Sequence, residues 1–318
     1  MAKYLLEFEK PLRELEKRIE ATKVTALERG IDMSKEIKAQ KDKLAKAASD
    51  FYKNLTRWQR VQMARHPERP HALDYIDEIV DNWFELHGDR LYADDKAIIG
   101  GTGEIDGQRF MIIGQQKGRG TKDNVYRNFG MPSPEGYRKA LRLMRLAEKF
   151  NIPVLSFIDT TGAYPGLGAE ERGQAEAIAR NLFVMSTLRV PIILVVIGEG
   201  ASGGALGVGV GDKMLMLENT WFSVISPEGC ASILYRDSGK ASTAADAMQV
   251  VPTDLVEMGI CDEILPEPLG GAHQAIKQTA KTVKTAILKS ISELSEHSTD
   301  VLVARRIERY DKLGQWQE

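Results

Sequence analysis

Two almost purely apolar runs, residues 153–158 and 191–197, each give way to a glycine-rich stretch. The first is Asp159-Thr-Thr-Gly-Ala-Tyr-Pro-Gly166 and the second is Gly198-Glu-Gly-Ala-Ser-Gly-Gly204. A short run without polar alternation reads as a strand buried on both faces, the habit of parallel sheets. Residues 170–186, between the two runs, have helical spacing. So do residues 134–150, which place Leu141, Met144, Leu146 and Ala147 on or near one face. Strand and helix alternating, with glycine at the strand ends, predicts an α/β fold with parallel pairing. Ligands of such sheets bind outside the C-terminal ends of the strands, so two glycine loops there can line one crevice.

The flanks read differently. Residues 1–70 contain one glycine, Gly30, and 17 lysines and arginines against 11 acids. Leu5, Phe8, Leu12, Leu15 and Ile19 keep helical spacing, and Ile37, Leu44, Phe51 and Trp58 follow at seven-residue steps. This predicts amphipathic helices, a hairpin turning near Gly30, with a solvated basic face. Pro67 and Pro70 end the helical pattern, since a proline disfavours helical geometry just before it. Residues 97–105 and 109–115 join through Asp106-Gly107, a hairpin signal. A loop rich in Gly, Lys and Arg is expected over 117–130, and further strands over 213–217 and 221–225. Residues 271–294 return to helical spacing through Ile276, Ala280, Val283, Ile287, Ile291 and Leu294. The expected organisation is a helical extension (1–70), an α/β body (71–270) and a C-terminal helical segment (271–318).

Three chemistries fit the stretch that begins at Gly198. Gly198, Gly200 and Gly203 match the dinucleotide fingerprint G-x-G-x-x-G, with Glu218 as the ribose-binding acid. Against it, the span 204–211 is short for a crossover helix and carries Gly207, Gly209 and Gly211, each unfavourable in a helix. Gly200-Ala-Ser202-Gly-Gly204 also matches the nucleophile elbow G-x-S-x-G. A triad would then need His273 or His297, both in the helical C-terminal part. In the third reading, Gly203 and Gly204 open a short helix whose free N–H groups form an oxyanion hole, glycine leaving the approach unobstructed. Close packing of that helix on the sheet would also call for glycine.

Composition narrows the classes. The net charge of −2 argues against a dedicated nucleic-acid binder. The two cysteines, Cys230 and Cys261, make no C-x-x-C pair, so no cysteine zinc site or disulfide framework is expected. No apolar run approaches the roughly 20 residues of a membrane span. Glu7 and Glu9 interrupt any signal-peptide core, so the expectation is a cytoplasmic protein.

Taken together, Gly114-Gln-Gln-Lys-Gly-Arg119, Arg127-Asn-Phe-Gly-Met131, Pro134-Glu-Gly-Tyr-Arg-Lys-Ala-Leu-Arg142, the 159–166 loop and the 198–211 stretch resemble the carboxyltransferase alpha subunits of bacterial acetyl-CoA carboxylase. The basic N-terminus with Ala64-Arg-His-Pro-Glu-Arg-Pro70 fits as well, and the resemblance runs over essentially the whole chain. It implies a crotonase-like (ClpP/crotonase) spiral of ββα units with N- and C-terminal helical extensions. It implies transfer of a carboxyl group from N-carboxybiotin, carried on a biotin carboxyl carrier protein and charged by biotin carboxylase, to acetyl-CoA. The product would be malonyl-CoA, for fatty-acid synthesis. The implied assembly is α2β2, with a zinc ribbon and most of the acetyl-CoA site in the beta subunit. The N–H groups of Gly203 and Gly204 would bind the ureido oxygen of biotin. The biotin nitrogen would take the proton from the acetyl methyl, which agrees with the lack of an evident acid/base pair. Gly162 and Gly166 would shape the biotin pocket with Tyr164 beside it, and Lys117 and Arg119 are candidates for phosphate or carboxylate contact. Asp159 either orients a ligand or caps its own loop. Another crotonase-type acyl-CoA enzyme (a hydratase or hydrolase) and a non-catalytic scaffold for the beta subunit remain as alternatives.

Overall fold

The computed structural model describes residues 4–314; the parts of the two terminal segments beyond them lie outside the described residues. The predicted hairpin consists of helices Lys10–Arg29 and Ser34–Lys53. Gly30 stops the first helix in a left-handed conformation (φ +61°), and its N–H bonds the Ala26 and Leu27 carbonyls, a cap that glycine adopts without steric cost. Leu12 and Ile19 are buried, whereas the second helix buries no residue. Phe8 stacks on Phe51, and the Tyr52 hydroxyl donates to Glu9 at 2.7 Å. A third helix, Arg57–Ala64, starts at a reciprocal Thr56–Gln59 cap. The segment after it does more than end a helix, because it carries His66, Arg69 and His71 into the body as buried polar side chains.

The body is built on one sheet. Its strands are β1 (Asp81–Glu85), β2 (Ile98–Ile105), β3 (Gln108–Gln115), β4 (Val154–Thr160), β5 (Ile192–Ala201), β6 (Lys213–Leu217), β7 (Trp221–Ser223) and β8 (Glu263–Leu265). The order is β1-β2-β3-β4-β5-β6-β8, with β7 pairing β5. β1, β2 and β3 are antiparallel, and the pairs from β3 through β8 are parallel. Asp106 (φ +48°) and Gly107 (φ +78°) make the tight turn of the β2–β3 hairpin. Along β5, Ile192, Leu194 and Val196 enter one core, with helices Pro134–Lys149 and Gln174–Thr187. Ile193, Val195 and Ile197 enter the other, with helices Ala72–Ile79 and Ile276–Ser295. The strand is therefore covered on both faces, which is why it shows no polar alternation.

Several boundaries differ from the sequence reading. β5 runs through Gly198 and Gly200 to Ala201 instead of ending at residue 197. Its first half pairs β6 and its last three residues pair β7. Gly198 and Gly200 serve close approach inside a strand, because a Cβ there would lie 2.2 Å from the Asp159 carboxylate and 2.3 Å from the Phe222 ring. The segment expected as a loop over 117–130 contains helix Gly120–Tyr126. The helix expected over 170–186 is broken by Gly173 (φ +80°) into Leu167–Glu171 and Gln174–Thr187. The strand expected over 221–225 ends at Ser223, and β1 lacked a clear sequence signal. A final helix, Thr299–Asp311, is fixed by buried Arg306, which pairs Asp212 and donates to the carbonyls of Met185, Leu188 and Val190. Among the described residues, no helix is long and apolar enough to cross a membrane.

Candidate active site

The connection from β5 to β6 is only residues 202–212, yet the two strands are parallel. It stays this short because its helix, Ser202–Leu206, has five residues and its glycines admit close neighbours. A Cβ at Gly207 would lie 2.5 Å from the Tyr137 ring, and one at Gly209 would lie 2.6 Å from the Ala205 carbonyl oxygen. The glycines that count against a dinucleotide crossover helix thus have a packing role. Glu218 faces Arg60 and the Glu267 N–H.

Ser202 stands at the strand-to-helix turn with φ +59° and is exposed. No hydrogen bond joins it to either downstream histidine. His273 stacks on His66 with ring centroids 3.7 Å apart, and His297 meets Arg305. The nucleophile-elbow reading has its serine but not its base.

Gly203 and Gly204 follow in the first turn of the helix, where N–H groups lack intrahelical acceptors and carry the positive end of the peptide dipoles. Gly204 is buried and Gly203 half-buried. A Cβ on Gly204 would lie 2.4 Å from the Gly162 carbonyl carbon and 2.5 Å from the Ala163 nitrogen, so the two glycine loops touch backbone to backbone. The nearest neighbour of a Cβ on Gly203 would be Ile178 at 3.6 Å, which leaves room on that side. The 159–166 loop is pinned from below. The Thr160 hydroxyl donates to the Gly130 carbonyl at 2.6 Å and accepts from the Gly162 N–H at 3.1 Å. Gly162 itself has φ +141°, a backbone conformation that glycine adopts readily. Gly166 lies under the Tyr164 ring, whose atoms come within 2.7 Å of its notional Cβ. Tyr164 is half-buried, and its N–H bonds the Pro132 carbonyl.

The charged candidates are engaged inside the chain. Lys117 Nζ lies 2.7 Å from both Asp159 Oδ1 and Glu199 Oε1. Burial alone would lower its pKa, but the two facing carboxylates outweigh burial and the net shift is upward. Burial likewise opposes ionisation of Asp159, yet Lys117 and His71 hold its carboxyl well below the usual range. Asp159 therefore does not cap its own loop. It bonds Lys117, His71 Nδ1 at 3.2 Å and the Glu199 N–H at 3.0 Å. Arg119 forks onto Asp74 at 3.0 and 2.7 Å and is half exposed. Glu199 continues the network to Arg65 at 2.6 Å, and the Arg65 guanidinium lies within 5.9 Å of the Trp58 ring centroid and 5.6 Å of the Trp221 one and pairs Glu228.

Sequence reasoning did not select Gln115, His71, Arg65 or Glu199. The one available signal was Glu199, an acid inside a glycine run that prolongs an apolar strand. Gln115 is fully buried at the end of β3 and bonds both Asp159 and Gly204.

Large apolar side chains are exposed on neighbouring segments of the chain. Leu167 follows Gly166 and is 74% exposed, Val224 follows β7 and is 77% exposed, and Ile233 and Leu234 on helix Pro227–Tyr235 are 70% and 66% exposed. A cavity of about 560 Å³ lies elsewhere, between the N-terminal hairpin and residues 269–274.

Residues 5–314 match the family model described as acetyl co-enzyme A carboxylase carboxyltransferase-like. The chain is 55% identical over 314 residues to the acetyl-coenzyme A carboxylase carboxyl transferase subunit alpha of Flavobacterium johnsoniae, covering 98% of this chain and 99% of the relative. It is 54% identical over 310 residues to the subunit of the same name from Bacillus cereus, covering 98% and 96%. Among solved structures it is similar to transcarboxylase 12S (TM-score 0.54, 20% identity), covering 68% of this chain but only 42% of that one. A Pseudomonas malonate decarboxylase hetero-tetramer in complex with coenzyme A is also similar (TM-score 0.56, 15% identity, 68% and 87% covered). These structures support the expected crotonase-like α/β fold. The match along nearly the full length shows that the chain belongs to the carboxyltransferase alpha-subunit family of acetyl-CoA carboxylase.

Proposed function

We propose that this chain supplies the biotin-facing half of a carboxyltransferase site that forms malonyl-CoA from acetyl-CoA. Family membership makes biotin-dependent carboxyl transfer the reaction class. The observation that carries the site assignment is the backbone contact between the two glycine loops. It closes the Gly204 side of the turn, whereas Gly203 is half-buried and a Cβ there would make only ordinary contact with Ile178.

Bound carboxybiotin would supply the carboxyl group, together with a urea oxygen that becomes more negative as that group leaves. In this reading the amides of Gly203 and Gly204 donate to that oxygen. Preorganised donors of this kind are each worth about 2.7–4 kcal/mol of barrier. Gly162 and Gly166, with Tyr164 across them, form the adjoining wall. Lys117 contributes from beneath through Asp159 and Glu199, and Arg119 from the neighbouring surface. The amide turn acts as an electrostatic device and needs no protein base of its own.

The exposed apolar side chains Leu167, Val224, Ile233 and Leu234 support a partner subunit docking beside the turn. We assign that place to the beta subunit, with its zinc ribbon and most of the acetyl-CoA site, in an α2β2 assembly served by the carrier protein and biotin carboxylase in the cytoplasm. The body from residue 71 to 270 would hold the site, and the helices on either side would support it. A hydratase or hydrolase is disfavoured by the family match and by the lack of a base on Ser202. A pure scaffold would not require glycine at 203, where a Cβ would make only ordinary contact.

The test is the reverse reaction. The purified chain, with and without the zinc-ribbon partner, is mixed with malonyl-CoA and free biocytin, and acetyl-CoA release is followed. Activity only in the mixture is expected. If neither sample is active although the two proteins associate, the biotin mechanism is refuted. Activity of the lone chain would refute the shared site.

A further inference from the structure

We propose that Gln115 is a positioning residue for carboxyl transfer, its buried carboxamide fixing the direction of the Gly203 and Gly204 amides. This rests on the oxyanion reading given above. The Gly204 carbonyl sits in a five-residue helix, too short to hold itself. In a regular helix its acceptor role would be filled by the Val208 N–H, but that group bonds Ala205 instead. The buried Gly204 carbonyl is satisfied from outside its helix, by Gln115 Nε2 of β3 at 2.7 Å and by the Tyr137 hydroxyl of helix Pro134–Lys149 at 3.2 Å.

The other end of the carboxamide is equally determined. Gln115 Oε1 accepts the Asp159 N–H at 3.1 Å. Turning the amide over would set donor against donor at Asp159 and acceptor against acceptor at Gly204, so only one orientation satisfies both. Asp159 is itself immobilised by Lys117, His71 and the Glu199 N–H. A continuous line of buried bonds therefore runs from a charged anchor at the strand ends, through Gln115, to the peptide that follows the candidate donors. Preorganised donors depend on such fixed geometry, and a displacement of about 1 Å can reduce rate about a hundredfold.

The experiment uses the chain assembled with its partner subunit, malonyl-CoA and biocytin. Gln115→Met keeps the length and removes both bonds. It is expected to lower kcat at least about tenfold, with the KM for malonyl-CoA unchanged within twofold. Gln115→Glu keeps the volume and the bond from Asp159, and remains assayable if Gln115→Met fails to assemble. Its carboxylate would face the Gly204 carbonyl, so its kcat should be low at pH 8 and recover toward pH 6 as the protonated acid becomes a donor. The wild type should lack that recovery. A purely structural glutamine would not produce this pH profile.

A Gln115→Met kcat within twofold of wild type, a parallel change of kcat and KM, or a wild-type pH profile for Gln115→Glu overturns the proposal. Gly203→Ala separates the two levels. If it loses turnover while both Gln115 variants keep it, only the positioning role fails. If it turns over normally, the oxyanion reading fails and the proposal with it.

Discussion

Alanine at Gly203 and alanine at Gly204 should act in opposite directions on stability and in the same direction on turnover. At Gly204 the new Cβ would lie 2.4 Å from the Gly162 carbonyl carbon, where about 3.4 Å is ordinary contact, so the loop or the helix must move about 1 Å. Both partners are buried backbone, and overpacking of this kind destabilises by about 1–3 kcal/mol. At Gly203 the nearest atom is Ile178 at 3.6 Å, so alanine fits without displacement. Replacing glycine in a helix by alanine there contributes up to about 1 kcal/mol of stability. Gly204→Ala should therefore melt several degrees below wild type and Gly203→Ala at or above it, as read by calorimetry of the purified chain.

Turnover tests the other half of the argument. In the biocytin assay with the partner subunit, Gly203→Ala adds a methyl beside an amide that the oxyanion reading assigns as a donor, and loss of one such donor is worth about 10²–10³ in rate. Gly204→Ala should fall about as far by a different route, through the shifted Gly162 loop. A more stable Gly203→Ala with a tenfold or larger loss of kcat would separate function from folding at one residue. Normal turnover by Gly203→Ala would refute the donor assignment. An unchanged melting temperature for Gly204→Ala would refute the packing geometry from which the displacement was derived. Gly204→Val would push still further into the Gly162–Ala163 backbone and confound the two effects.

Other expectations follow from the same geometry. Lys117→Met leaves Asp159 and Glu199 facing each other without their shared cation, and breaking a buried pair typically destabilises by about 3–5 kcal/mol; denaturant unfolding with a loss below about 1 kcal/mol would contradict the network. Burial pushes the His273 pKa down to about 4, so the fold binds its neutral form and stability should decline as pH falls from about 6.5 toward 4. His66, stacked on it and likewise lowered by burial, contributes in the same direction, so His273→Phe should reduce the slope in that interval of pH-dependent unfolding, and an unchanged slope would exclude His273 as a source. Ser202→Gly relieves a left-handed residue and should stabilise by up to about 1 kcal/mol, while Ser202→Ala should keep turnover within a few-fold. A loss above a hundredfold for Ser202→Ala would restore the serine nucleophile.

The parts of the fold legible in the sequence were those fixed by local signals. The β2–β3 hairpin followed from Asp106-Gly107, the N-terminal hairpin from Gly30, and the central strands from apolar runs without alternation. What escaped was set by contacts distant in sequence. β5 outruns its apolar stretch because β7 supplies a second partner for residues 199–201. Gly173 divides a helix that hydrophobic spacing presents as continuous. The glycine turns were legible as loops near strand ends. Their direct contact was not, since nothing local to Gly162 specifies Gly204. Lys117 and Asp159 stand 42 positions apart, and a charge count reads them as two surface groups where the fold makes one buried pair.

That burial also explains why motif searching finds no acid and base here. Lys117, Asp159, Glu199, Arg65 and His71 are titratable side chains of the kind expected in a catalytic cluster, and they lie at the strand ends where catalysis is expected. Lys117 and Arg65 pair with Asp159 and Glu199 inside the chain, and under the proposed function the groups that meet a ligand are backbone amides, which no residue type identifies. A site made this way gains rigidity from its ion pairs and chemical reach from glycine. Under the proposed function, the specificity of such a site comes from the partner subunit that covers it.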